Sequence, residues 1–187
     1  MDPLKIPFGL SDIIIGEGAE AITFDGAAEF QAAGGDLTLT PQFADIVIAD
    51  FGESVFDQRL VGWSGAVNIV AAEQKIEILA EALAATEIIN DATSGDPVGL
   101  MDAKMGMSIR SKAKKVTIHP RALGTDKSMD IVIYKMASNG EFTRSNANEQ
   151  GNVSIALSMF PRDGMNANEP GNFFYVGATD PNAPVGP

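Results

Sequence analysis

Apolar and polar residues alternate along most of this chain in short runs. In "NVSIALSM", Val153, Ile155, Leu157 and Met159 alternate with Ser154, Ala156 and Ser158, the two-residue repeat of a strand with one face in a core and the other in water. "GDLTLT" repeats the pattern with Leu37 and Leu39 against Thr38 and Thr40, and "KVTIHP" repeats it with Val116 and Ile118 facing inward. "MDIVIYKM" holds Ile131, Val132, Ile133 and Tyr134 in one β-favouring run, and "NFFYVGA" reads as a last strand. Asp25-Gly26, Asn139-Gly140 and Asp163-Gly164 fall between such runs, as turns do between antiparallel neighbours.

One segment has a different period. From about Ala72 to Ala85, Ile76, Leu79, Ala80 and Leu83 recur at spacings of three and four, opposite Glu73, Glu77 and Glu81, with no glycine or proline before Gly95. That pattern predicts one amphipathic helix near residues 72–85, leaning on a sheet directly after a strand. The expected class is mainly β (α+β): two packed antiparallel sheets, sandwich- or barrel-like, with this single flanking helix. One domain is expected over residues 1–176. Proline-rich and apolar-poor, "TDPNAPVGP" predicts a flexible C-terminal tail over 177–187.

Composition narrows the chemistry. The 187 residues include no cysteine and one histidine, His119, which excludes disulfides, zinc-thiolate sites, thiol nucleophiles and His-rich metal clusters. Calcium or magnesium held by carboxylates stays open. The start of the chain, "MDPLKIPFGLSDIII", carries neither a signal-peptide pattern nor a membrane span; synthesis in a reducing cytoplasm is expected. Charge is divided unevenly. Residues 1–103 hold 18 acids and 3 bases (−15), and residues 104–187 hold 7 acids and 10 bases (+3), for a net charge of −12. Lys104, Arg110, Lys112, Lys114, Lys115 and Arg121 lie in a window without an acid. Three readings stand for it: a nucleic-acid contact, opposed by the overall negative charge, a solvated strand edge, or a basic patch meeting the acidic half of an identical neighbour.

Motifs that imitate catalytic or cofactor chemistry lack their context. Gly16-x-Gly18-x-x-Ala21 follows a β-like run, but a dinucleotide fingerprint needs a helix to start there, and "AEAITFDG" is β-branched and ends in Asp-Gly. "NDATSGDPVGLMD" offers Asp91, Asp96 and Asp102 at a spacing unlike an EF-hand loop. "GWSG" is half of a nucleophile elbow, and His119 precedes Pro120 at a strand end. No enzyme and no cofactor is expected.

The segment "PQFADIVIADFGESVFDQRLVG", residues 41–62, sets Phe43, Phe51 and Phe56 among Asp45, Asp50, Glu53 and Asp57. Aromatic anchors ringed by charge suit a long loop or hairpin covered by another chain; packing within the monomer is the other reading. The expected subunit interface comprises Phe43, Phe51, Phe56, Asp57, Lys112, Lys114, Lys115 and Arg121.

Three consecutive blocks carry a family resemblance: "GGDLTLTPQFADIVIADFGESVFDQRLVGWSGAVNIVAAEQKIEILAEALA", "KVTIHPRALGTDKSMDIVIYKM" and "GEFTRSNANEQGNVSIALSMFPRD", together covering roughly residues 33–163. In order and pattern they resemble the tail tube (major tail) proteins of long-tailed, siphovirus-type bacteriophages. "IIIGEGAEAITFDG" and "DPNAPVGP" match less clearly. The resemblance implies a structural virion protein, made in the host cytoplasm and located in the tail. Its partners would be copies of itself, in six-membered rings stacked into a tube, and other tail proteins such as tape measure and terminator. DNA would pass through an acidic channel without sticking, and no membrane partner is implied. The alternative is a β-sandwich module binding carbohydrate at a virion surface, which one Trp and two Tyr serve poorly.

Overall fold

The computed structural model describes residues 8–144 and 146–183. The fold is mainly β, with two antiparallel sheets and one flanking α-helix. The strands are β1 (Ser11–Ile15), β2 (Ile22–Phe24), β3 (Gln31–Val47), β4 (Val55–Ala71), β5 (Thr86–Asn90), β6 (Pro97–Asp102), β7 (Lys114–Pro120), β8 (Ile131–Ser138), β9 (Val153–Phe160) and β10 (Phe174–Val176).

The large sheet has eight strands in the order β2-β1-β7-β8-β9-β4-β3, with β10 added to β8. On one edge β8 divides its partners: Ile131–Ile133 pair with β10, and Lys135–Ser138 pair with β9. The sheet curls until its two ends meet. Gln31 Nε2, on β3, donates to the Ser11 carbonyl at 2.8 Å and to the Phe24 carbonyl at 3.2 Å, joining β3 to β1 and β2. Gly35 permits this approach, since a Cβ there would stand 2.9 Å from Ile13 Cδ1 and 2.8 Å from the Asn68 carbonyl oxygen.

Inside the curl lie the alternate residues of each strand. Val153, Ile155 and Leu157 are buried with Val67 and Ile69 of β4, Ile13 and Ile15 of β1, Val116 of β7, Ile133 and Met136 of β8, and Phe24. Each such side chain contributes about 1.5–3 kcal/mol of transfer free energy.

The helix, α1, spans Ile76–Ala82, half the length expected over 72–85, and it presents a different face. Ile78, Glu81 and Ala82 are buried, Ile76 and Leu83 are partly exposed, and Leu79 packs at the core's margin. Glu81, expected in water, turns inward because the Lys114 amine of β7 meets its carboxylate. The chain leaves the helix at once for the second sheet, the β5–β6 hairpin. Thr86 Oγ1 donates to the Leu83 carbonyl at 2.6 Å and fixes that exit.

Polar bonds hold the chain beyond Val176. The Tyr134 hydroxyl donates to Asp180 Oδ1 at 2.7 Å and accepts from Asn182 Nδ2 at 2.8 Å, and the Gly177 N–H donates to the Asp130 carbonyl at 2.9 Å. A loose tail from residue 177, expected from apolar content, is thus pinned by side-chain amide and carboxylate groups as far as Asn182; residues 184–187 lie outside the described residues.

Candidate functional site

The strands β3 and β4 each run for 17 residues, but only their inner halves belong to the body. β9 pairs with β4 from Ala71 to Ala66 and stops there. From Ser64 to Val55, roughly 30 Å at ~3.3 Å per residue, β4 has β3 as its only strand partner, and β3 forms the free edge of the sheet. The outer half is therefore a two-stranded arm, unpaired on both edges among the described residues, and from Val61 to Val55 β4 is exposed at every position.

The ladder explains its shape. Phe43 lies opposite Leu60, Asp45 opposite Gln58 and Val47 opposite Val55, with register shifts at Gln42/Phe43 and Ile46/Val47. Gln58 Nε2 donates to Asp45 Oδ1 at 2.8 Å, and Arg59 Nε pairs with Asp57 Oδ2 at 3.1 Å. At the tip a 3-10 turn, Ala49–Phe51, ends on Gly52 with φ at 74°, a backbone value that glycine adopts without steric cost.

The arm is studded with apolar side chains that nothing covers. Phe51 and Phe56 are 69% and 66% exposed, and Phe43, Val47, Val55, Leu60 and Val61 are also exposed. A bare two-stranded ribbon is marginal in water. Of the expected interface residues, Phe43, Phe51, Phe56 and Asp57 all lie on this arm.

The other four lie elsewhere, and their charge partners are in the chain itself. Lys112 pairs with Glu87 at 3.1 Å, Lys114 with Glu81, Lys115 with Glu17 at 2.9 Å and Arg121 with Asp12 at 2.5 Å. Arg121 also donates to the Phe24 carbonyl at 3.3 Å. Four bases of the cationic window thus meet four acids of the acidic first half. The charge asymmetry of the sequence is complemented within one molecule, because β7, which forms the last third of the window, lies between β1 and β8. Arg110 contacts Asp163 at 3.0 Å, and Lys135 meets the same carboxylate at 2.5 Å; the Lys135 hydrogen bond holds the Asp163 pKa below its ordinary value.

His119 is a strand-end pin. Nδ1 faces Asp130 Oδ1 at 2.5 Å and Nε2 faces the Gly124 carbonyl at 2.8 Å. Two acceptors on two ring nitrogens favour the imidazolium, and the bond to Asp130 raises the pKa. Burial, the largest cause, pushes the Tyr134 hydroxyl up to about 12.

The remaining sequence motifs form turns. Gly16 and Gly18 belong to the β1–β2 connection, with Gly18–Glu20 a 3-10 turn. Asp91 Oδ1 accepts from the N–H groups of Thr93 and Ser94 at 2.8 and 2.9 Å, closing the β5–β6 turn. Among the described residues no three His, Cys, Asp or Glu side chains converge as metal ligands, and no helix is long and apolar enough to cross a membrane.

A second feature at the arm's root escaped the sequence. A groove of about 700 Å³ lies between the Leu60–Trp63 stretch of β4 and the segment from Pro161 to Phe174. Trp63 and Phe174 meet edge to face at its wall, ring centroids 5.1 Å apart and planes at 79°. No signal of local period could have found it, since its walls come from positions a hundred residues apart.

Compared with known proteins, the sequence matches no protein-family model and shows no significant similarity to a curated protein.

Proposed function

We propose that this protein is a structural subunit that assembles with copies of itself into rings and stacked tubes, as the tail tube proteins of long-tailed phages do, in the tail of a virion. The observation that carries the proposal is the β3–β4 arm. It projects past the body with two free edges and seven exposed apolar side chains. A surface of that kind is completed by another polypeptide. Edge-to-edge strand pairing supplies the missing backbone hydrogen bonds, and head-to-tail repetition of one contact closes a ring or extends a stack.

A second feature favours a channel for DNA. The water-facing residues of β3, β4 and β9 share one sheet face, where the register sets Thr38 beside Ala66 and Ser158, Thr40 beside Ser64, and Asp36 beside Asn68 and Ala156. Asn68 Nδ2 donates to both Asp36 carboxylate oxygens, at 3.0 and 3.1 Å. These residues include hydroxyls, an amide and one carboxylate but no cation. A wall of this kind offers a passing phosphate backbone nothing that releases counterions, so DNA slides without being held.

Negative-stain electron microscopy and light scattering of the purified protein test the reading. Rings or striated tubes, with mass rising with concentration, are expected; particles of single-chain mass at every concentration would reject it. The rival, a carbohydrate-binding module, would remain monomeric and retain glycans on an array.

A further inference from the structure

We infer that the groove at the root of the arm is the receptor for the arm tip of a second copy of this chain. The inference rests on the self-assembly reading and adds to it the two surfaces that meet.

The tip and the groove are complementary in kind. One is a knob of exposed phenylalanines, Phe51 and Phe56, and the other is a cleft bordered by Trp63, Met165, Ala167 and Phe174. Its volume of about 700 Å³ lies within the range of clefts that enclose aromatic groups. One wall is the stretch of β4 whose outer edge lacks a strand partner, so it presents backbone donors and acceptors as well as apolar surface.

The two surfaces also differ in charge. Residues 41–62 hold Asp45, Asp50, Glu53 and Asp57 against Arg59, a net of −3. Glu169 is the charged residue of the groove's lining, and cations stand directly behind that lining: Arg110 donates to the Pro161 carbonyl at 3.1 Å and Arg162 to the Gly171 carbonyl at 3.2 Å, while Arg110 and Lys135 share the one Asp163 carboxylate. Counting Glu169, three cations there face two carboxylates.

Geometry excludes the single molecule as its own partner. The groove begins at Leu60–Trp63, with Phe56 four residues further out on the same strand and Phe51 in the turn beyond Val55, so the knob starts roughly 13 Å away at ~3.3 Å per residue. A paired ribbon cannot bend its end back onto its root without breaking its hydrogen bonds. Knob and hole on one chain, held apart by a stiff arm, give a heterologous contact that propagates from copy to copy.

Two sets of exposed substitutions test this. The chain with Phe51→Ser and Phe56→Ser has a groove but no tip; the chain with Met165→Asp and Ala167→Asp has a tip but no groove. Each alone is expected to be monomeric in sedimentation. An equal mixture is expected to form heterodimers and stop there, with Trp63, the only tryptophan, changing its emission only in the mixture. Because the chain lacks cysteine, Phe51→Cys in one copy and Ala167→Cys in another should be joined by a short bifunctional maleimide. A native protein that assembles while the mixture stays monomeric and the cross-link fails would overturn this inference and leave self-assembly standing. A native protein that never associates would remove both.

Discussion

Replacing Phe51 and Phe56 by serine separates stability from association. Both rings are about two thirds exposed in the isolated chain, so the fold gains little from them, and surface changes of this kind stay within about 0.5 kcal/mol. A phenylalanine side chain offers about 150–250 Å². Two thirds of that from each ring gives roughly 260 Å² for a neighbour to cover, about 6 kcal/mol at ~25 cal/mol per Å². Partial cover, and the area serine retains, bring the expected loss to about 3–6 kcal/mol per contact. At 1.4 kcal/mol per decade this is a weakening of roughly a hundred- to ten-thousand-fold. Equilibrium sedimentation measures the association constant, and a urea melt run in parallel measures folding. An association constant within threefold of native, with folding intact, would show that no neighbour covers these rings. A large fall in the urea midpoint would instead show that the arm packs on its own body.

Other expectations follow from the core, the pin and the tail. Ile155→Ala, at a fully buried site between β4 and β8, should cost about 2–5 kcal/mol in urea unfolding; a loss under 1 kcal/mol would refute the packing described. His119→Gln removes an imidazolium whose folded pKa lies above its ordinary value of 6.5. That stabilisation is complete below the unfolded pKa, near 6.5, and is lost as pH rises through the folded value. The variant should therefore be less stable at pH 5.5, by about 1.5–3 kcal/mol for a hydrogen-bonded charge, and the gap should narrow by pH 9; a gap that widens with pH would refute the assignment. Ending the chain after Gly177 removes Asp180 and Asn182 from Tyr134 and uncovers its ring. Ultraviolet titration should then find the Tyr134 hydroxyl ionising below its present value of about 12, and an unchanged titration would mean that the tail does not bury it.

Local pattern disclosed local structure and little else. The alternation at 153–159 located β9 and its inward side chains because burial on one face is what writes a two-residue period. The helix was legible as an element but not in its bounds or its face. Glu81 breaks the polar stripe by turning inward to Lys114, 33 residues later in the chain, a partner no window contains. The same holds for Lys115 with Glu17 and Arg121 with Asp12, at separations of 98 and 109 residues. Mixed acids and aromatics at 41–62 did mark the arm, because a segment exposed on both faces escapes the period that a core imposes. The groove beside it combines two distant segments, and only the topology brings them together.

The same residues bear on how such an arm avoids indiscriminate pairing. A free edge with apolar side chains invites indiscriminate strand pairing. Here Pro41 removes one edge N–H, two register shifts interrupt the ladder, and Asp45 and Asp57 sit on it. Copies that each carry −12 also repel at long range, over a Debye length of about 8 Å at physiological salt. On the proposed self-assembly, a short-range fit between tip and groove would have to outweigh that repulsion, which a random edge does not offer. Since Lys112, Lys114, Lys115 and Arg121 already face acids of their own chain, added salt would act on the proposed assembly chiefly by screening the repulsion between copies. Under the proposal, the contact at the arm would set which surfaces join, while the net charge would set how often they meet.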